Sequence, residues 1–147
     1  MEIKKILVLL DGSKNSLRGL DLAITLASPF SAVITGLFCN QFKLHSEINE
    51  ITPIDKAIFD AVNNKTRTEI KKIMESANEK AEKQGVTFEF KIIDGKTGPS
   101  ILKFAGKNKF EIIVMGSRGM SATKGILLGS VSNYLIHTSQ TPILLVK

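Results

Sequence analysis

Short apolar runs rich in Ile, Val and Leu alternate along this chain with longer stretches of helical periodicity, and that alternation limits the fold more than any other feature. Residues 3–10 are almost unbroken apolar sequence after their lysines, the pattern of a strand covered on both faces. Asp11, Gly12 and Ser13 break the run. Ser13 suits the N-cap of a helix carrying Leu17, Leu20, Ile24 and Ala27 on one face, which Ser28 and Pro29 end. Residues 32–39 read as a second strand. Residues 40–54 are polar, aperiodic and contain Pro53, which predicts a loop with at most a helical turn. A long helical pattern covers 55–84, with Gly85 placed to stop it.

Residues 86–93 alternate apolar and polar side chains, as a half-exposed strand near a sheet edge does. Asp94 and Gly95 turn the chain into a helix with Pro99 in its first turn and Ile101, Leu102 and Ala105 on its buried face. A buried strand at 111–115, a glycine-punctuated loop at 116–129, a helix at 130–138 and a strand at 142–146 complete the chain. Strands separated by helices require right-handed crossovers, so the expected fold is a doubly wound five-stranded parallel sheet, a Rossmann-like three-layer αβα sandwich. No repeat, linker or low-complexity tract interrupts it, and residues 1–147 are expected to form one domain. Ligands of such sheets lie beyond the carboxyl ends of the strands. That directs attention to the loops after Leu10, Cys39, Ile93 and Met115.

The bulk numbers exclude several classes. With 43% hydrophobic and 23% charged residues the chain is globular rather than disordered. No apolar run approaches the roughly 20 residues that cross a bilayer, so no membrane span is expected. The opening residues resemble a signal peptide, but the apolar run ends early on Asp11 with no small-residue cleavage site. Cys39 is the single cysteine, which rules out an internal disulfide and fits a reducing, cytoplasmic setting. His45 and His137 have no ligand spacing around them. The net charge of +6 favours anionic partners in principle, but the lysines often stand beside glutamates on helical stretches, as a solvated face requires. One Tyr and no Trp give little platform for nucleic acid, and no specific nucleic-acid partner is expected.

The loop after Met115 carries the chemistry. From Gly116 to Ser132 it has the form G-x2-G-x9-G-S-x-S, with glycines at Gly116, Gly119 and Gly129. Glycine after a strand permits a sharp turn and close approach of a ligand to the main chain. Gly129 and Ser130 open a helix whose unpaired amides and positive dipole end can hold phosphate. Ser130 and Ser132 add hydroxyls, and Arg118 or Lys124 adds charge. A flexible connector with an ordinary serine cap explains the same residues. Asp11, at the end of the first strand, is either a contact to the ligand or its Mg²⁺, or an Asx-type turn with Gly12 and Ser13. Cys39, at the end of the second strand, either lines the pocket or packs. His137 reads as a dipole partner at the end of the last helix. Gly95-Lys96-Thr97 ends like a P-loop, but Phe90 stands where the first glycine is required.

These segments together resemble the universal stress protein family. The resemblance rests on ILVLLDGSKNSLRGL, on ILKFA with EIIVMGSRG, and on LLGSVSNYLIHTSQTPILLVK, and it runs end to end apart from residues 40–55. Gly116, Gly119, Gly129 and Ser130 fill the pattern that marks its ATP-binding members. The resemblance implies a sheet ordered 3-2-1-4-5 with ATP (or AMP or ADP), carrying Mg²⁺ or Mn²⁺, over the ends of the first and fourth strands. Its implied contacts are Asp11, Gly12, Ser13, Cys39, Met115, Gly116, Ser117, Arg118, Gly119, Gly129, Ser130, Val131 and Ser132, with Asp11 as a metal contact only through the nucleotide phosphates. Phe38 and Cys39 depart from the family's usual adenine-side residues, Glu111 replaces a common Asp and Thr97 a common Pro. Family members commonly dimerise through the last strand, and an apolar edge at Ile143–Val146 needs covering on physical grounds too.

The implied function is a nucleotide-responsive stress-response module with little or no ATPase activity. An enzyme of the same binding class, adenylating a substrate or hydrolysing ATP slowly, is the alternative, and a receiver-like phosphorylation switch is a third reading. No nucleophile, base and orienter group together in the sequence.

Overall fold

The computed structural model describes residues 2–40, 53–119, 125 and 127–147. Its elements are β1 (Lys5–Leu9), α1 (Lys14–Ala27), a 3₁₀ turn (Ser28–Phe30), β2 (Val33–Asn40), α2 (Pro53–Lys83), β3 (Phe88–Asp94), α3 (Thr97–Asn108), β4 (Ile112–Gly116), α4 (Ser130–Thr138) and β5 (Ile143–Val146). The strands form one parallel sheet in the order β3-β2-β1-β4-β5, the order the resemblance implies.

Alternation along β1 divides the core into two. Ile6 and Val8 point to one face, where they pack with Ile34, with Leu20, Ala23 and Ile24 of α1 and with Ala77 and Ala81 of α2. Leu7 points to the other, meeting Leu37, Ile113 and Met115 under Ile101 and Ala105 of α3 and Leu135 of α4. Ile6, Leu7 and Val8 are fully buried, and each such side chain contributes about 1.5–3 kcal/mol relative to exposure. The run is unbroken because helices cover both faces. β3, at an edge, alternates half-buried and exposed residues from Phe88 to Lys91 as its sequence predicts, and Ile92 then breaks the alternation by being exposed.

Local chemistry sets the boundaries. Ser13 caps α1, its Oγ accepting from the Ser16 amide at 3.2 Å. Gly85 stops α2 with φ of +66°. That helix begins at Pro53, two residues before the expected start, because proline is well suited to a first helical turn. Asn40 belongs to β2, and the rest of the predicted loop up to residue 52 lies outside the described residues, as does His45. Glu111 Oε2 accepts from the amides of Lys4 (3.2 Å) and Lys5 (2.6 Å), tying the start of β1 to the approach to β4. β1 has β2 on one side and β4 on the other, so the strand order reverses there and a crevice opens beyond their carboxyl ends.

Candidate functional site

Two turns meet over the ends of β1 and β4. After β1, Asp11 Oδ1 accepts from the Ser13 amide at 2.8 Å, an Asx turn that leads the chain through Gly12 (φ +85°) into α1. The other carboxylate oxygen faces the second turn: a Cβ built on Gly119 would lie 2.7 Å from Asp11 Oδ2. The two readings of Asp11 are therefore compatible, since one oxygen shapes the turn and the other borders the glycine loop. Gly12 is needed for its left-handed backbone and because Ile73 of α2 reaches to 3.2 Å of where its Cβ would be.

After β4 the chain is fastened at Ser117, which is buried. Its amide donates to the Val146 carbonyl (2.7 Å), and its carbonyl accepts from the Gly129 amide (2.8 Å). Its hydroxyl accepts from Asn15 Nδ2 at 3.4 Å. Gly116 leaves space for α1, because a Cβ there would stand 2.7 Å from the Cβ of Asn15. Ser132 is turned inward, its hydroxyl reaching the carbonyls of Ser117 (3.0 Å) and Gly116 (3.1 Å). Expected as a donor to the ligand, Ser132 instead holds the loop against α4.

Gly129 is the N-cap of α4, and no side chain caps this helix. The first intrahelical bond runs from the Asn133 amide to the Gly129 carbonyl at 2.9 Å. The amides of residues 130–132 precede it and face the crevice end of the sheet with no side-chain cap, beside exposed Ser130. α1 is the contrast, since Ser13 occupies the equivalent amide there. Gly129 has an ordinary φ of −70°, and a Cβ would make ordinary 3.6 Å contacts with Arg118, Gly119 and Ser132. The chain's own packing does not demand glycine at this position.

The remaining candidates divide. Arg118 is exposed at the loop, whereas Lys124 lies outside the described residues. Met115, counted with the contacts, is 2% exposed with its side chain in the core, because residues of β4 point alternately into the two helix layers. Val131 packs against the same core, leaving its amide rather than its side chain at the site. Cys39 is half-buried on the β3 side of the crevice, with Sγ 3.7 Å from the Gly95 carbonyl. Burial pushes its thiol above the ordinary range and the Asp94 charge adds to this, against a hydrogen bond with Thr97. A raised thiol pKa leaves little thiolate near neutral pH, which disfavours a nucleophilic role. His137 Nδ1 lies 2.7 Å from the Asn133 carbonyl, at the α4 end as expected.

Asn15 and Ile73 were not evident in the sequence. Asn15 lies two residues past the cap with no motif around it, and Ile73 is one of many apolar positions on a long helix. Among the described residues no group of three or more His, Cys, Asp or Glu is placed to hold a metal, and no helix is long and apolar enough to cross a membrane. A shallow groove between the carboxyl ends of α1 and α2, bordered by Thr25, Lys80 and Gln84, lies at the opposite end of the sheet from this loop.

Comparison with known proteins agrees with this geometry. The model of the universal stress protein family matches residues 2–147. Universal stress protein YxiE of Bacillus subtilis is 34% identical over 145 residues, covering 97% of this chain and 98% of the relative. The structure of MJ0577 from Methanocaldococcus jannaschii superposes with a TM-score of 0.81 at 28% identity, covering 100% of this chain and 97% of that one. A universal stress protein crystallised in complex with cAMP gives a TM-score of 0.69 at 25% identity, covering 100% and 98%.

Proposed function

The chain belongs to the universal stress protein family, and we propose that it is a regulatory module that binds an adenine nucleotide, ATP in the first place, across the ends of β1 and β4. One observation carries this reading: Gly129 opens α4 without a side-chain cap, beside Arg118 and Gly119, at a position where the fold itself would accept alanine. Backbone amides at a helix start, a dipole and a missing Cβ suit a phosphate that approaches the main chain closely. Ser130 is the exposed hydroxyl at this point, and Asp11 borders the loop on the nucleoside side. The relative crystallised with cAMP supports an adenine nucleotide as the ligand class.

Mg²⁺ or Mn²⁺ fits this site as an ion carried by the phosphates. Asp11 is a single carboxylate with one oxygen already bonded to the Ser13 amide, and Mg²⁺ commonly joins one carboxylate, substrate phosphates and water. When bound, the ion would offset phosphate charge.

The same reading takes residues 1–147 as one domain, places it in the cytoplasm on the strength of its lone thiol, and pairs two copies through β5. The two sheet edges differ in a way that supports this pairing. β3 exposes Glu89, Lys91 and Asp94 beside the apolar Ile92, whereas Ile143, Leu144, Leu145 and Val146 are half-buried and uncharged.

The test is mass spectrometry of small molecules released on denaturing the purified protein, with calorimetry against ATP, AMP and cAMP. Release of an adenine nucleotide, or a dissociation constant below about 100 μM for ATP, is expected. No released nucleotide and no heat with any of the three at about 1 mM would overturn the reading.

A further inference from the structure

The charge of this chain is unevenly placed. Residues 95–147 hold seven of its 20 Lys and Arg but only one of its 14 acids, Glu111, so the whole net charge of +6 falls in this stretch. Glu111 is itself bonded through Oε2 to two backbone amides. Among the described residues the salt bridges lie elsewhere: Lys80–Asp21, Lys71–Glu75 and Lys83–Glu79 on the α1 and α2 layer, and Lys4–Glu2 near the N-terminus. α3, on the other face of the sheet, has no acidic residue. At its carboxyl end Lys103, Lys107 and Lys109 are exposed, and Lys5 Nζ joins them, 3.1 Å from the Asn108 carbonyl.

Cations at a helix carboxyl end have an ordinary explanation in the macrodipole. Two further choices at the same place do not. Lys109 ends α3 in the left-handed conformation (φ +53°), where glycine is favoured and a side chain is strained. Gly106 stands inside the helix, exposed, where a Cβ would meet nothing within 4 Å and alanine would be favoured. The sequence thus has lysine where the backbone calls for glycine, and glycine where any side chain fits. Both choices weaken the helix end while leaving a bare patch between lysines. Local rules broken together, with no gain inside the fold, point outside it.

We infer that the carboxyl end of α3 docks an acidic segment of a partner protein, with Lys103, Lys107 and Lys109 meeting its carboxylates and Gly106 admitting its close approach. The patch offers little that nucleic acid or a membrane would use. The aromatic ring within it, Phe110, is buried beneath Lys5, so bases have nothing to stack on. The large exposed apolar side chains among the described residues all lie outside 103–109, which leaves no anchor for insertion into a bilayer. This inference does not depend on nucleotide binding.

The experiment measures fluorescence anisotropy of a labelled peptide of repeated Glu-Glu-Leu-Ala units against the intact protein, with labelled oligothymidine and phosphatidylserine vesicles as parallel probes. Saturable peptide binding is expected, weakened at least tenfold by Lys103→Glu with Lys107→Glu, but less than threefold by the matched change Lys71→Glu with Lys72→Glu on α2. Lys109→Gly and Gly106→Leu separate this role from a structural one, since Lys109→Gly should raise thermal stability and Gly106→Leu should not lower it, while each weakens the peptide several-fold. Tighter binding of oligothymidine or vesicles than of peptide, no peptide binding, equal loss in the α2 variant, or unchanged binding in both Lys109→Gly and Gly106→Leu would each overturn it.

Discussion

The hydroxyl of Ser132 lies 3.0 Å from the carbonyl oxygen of Ser117, joining the first turn of α4 to the residue that follows β4. Ser117 in turn binds Val146 and Gly129 through its main chain, so the two ends of the proposed phosphate loop are held by the fold itself. Preorganisation of this kind raises affinity by lowering the cost of ordering the loop.

Ser132→Ala and Ser130→Ala should therefore separate. Loss of the buried hydroxyl is expected to cost about 1–3 kcal/mol of stability, with weaker nucleotide binding as a consequence of a looser loop. Ser130 is exposed and caps nothing, so Ser130→Ala should leave the denaturation midpoint within experimental error while lowering ATP affinity about tenfold. Urea denaturation and calorimetry on both variants check this. Equal effects on stability would contradict the division of roles.

Gly129→Ala is the sharper probe of the ligand. With φ of −70° and only 3.6 Å contacts for a new Cβ, the substitution should change stability by less than about 1 kcal/mol. A phosphate lying against the amides of 130–132 would meet that methyl group. ATP affinity is expected to fall at least about tenfold, equivalent to about 1.4 kcal/mol. Wild-type affinity in the folded variant would remove phosphate from this position.

Much of this architecture was legible because it rests on periodicity. Ile6, Leu7 and Val8 announce a doubly covered strand, and the exposed alternation of β3 announces an edge. The glycine spacing announced the loop. What stayed hidden depends on orientation. Ser130 and Ser132 are indistinguishable as hydroxyls in a motif, yet two positions on a helix differ by about 200° in direction, and only one faces inward. Met115 carries a similar ambiguity, since a strand-end residue can meet a ligand with its backbone while its side chain fills the core. Asn15 had no signal, because its role is set by the crossing of α1 over Gly116.

Cys39 should behave as a half-buried thiol with a raised pKa. Alkylation by iodoacetamide at neutral pH is expected to be slower in the folded protein than in urea. The sign for stability follows from linkage. A thiol whose folded pKa lies above its unfolded value stabilises fully below about pH 8.5, and that contribution is lost as pH rises through the folded pKa. Cys39→Ala should flatten the alkaline fall in the denaturation midpoint. An identical slope in variant and parent would contradict the raised pKa.

Pairing through β5 can be tested without disturbing β4. The carbonyls of Pro142 and Val146 face β4, accepting from Ile113 and Ser117, so by alternation the amide of Leu145 faces outward. Leu145→Pro removes an edge donor and should yield a less stable but folded monomer. Leu144→Pro removes an inward amide and should compromise the fold itself. Sedimentation of the parent protein as a monomer at micromolar concentration would end the proposal.

Bound ATP should be hydrolysed very slowly or not at all. Fast phosphoryl transfer needs a group that orients the attacking water in line with the γ-phosphate, together with cations that offset the developing charge. Charge is available from Arg118 and from an ion carried by the nucleotide. The orienting group is the harder requirement, since residues 116–132 contain no Glu, Gln, Asp or His. Asp11 is the carboxylate that borders the loop, but Oδ1 is engaged by the Ser13 amide and Oδ2 faces Gly119. Asn15 is turned toward Ser117. A cradle of amides that grips ground-state phosphates without favouring the transition state gains affinity and not rate. That suits a module whose signal lasts as long as its ligand stays bound. Single-turnover assays with labelled ATP, excess protein and Mg²⁺ or Mn²⁺ measure it directly. Turnover of about 1 s⁻¹ or faster, within the ordinary enzyme range, would make the protein an ATPase and displace the regulatory reading.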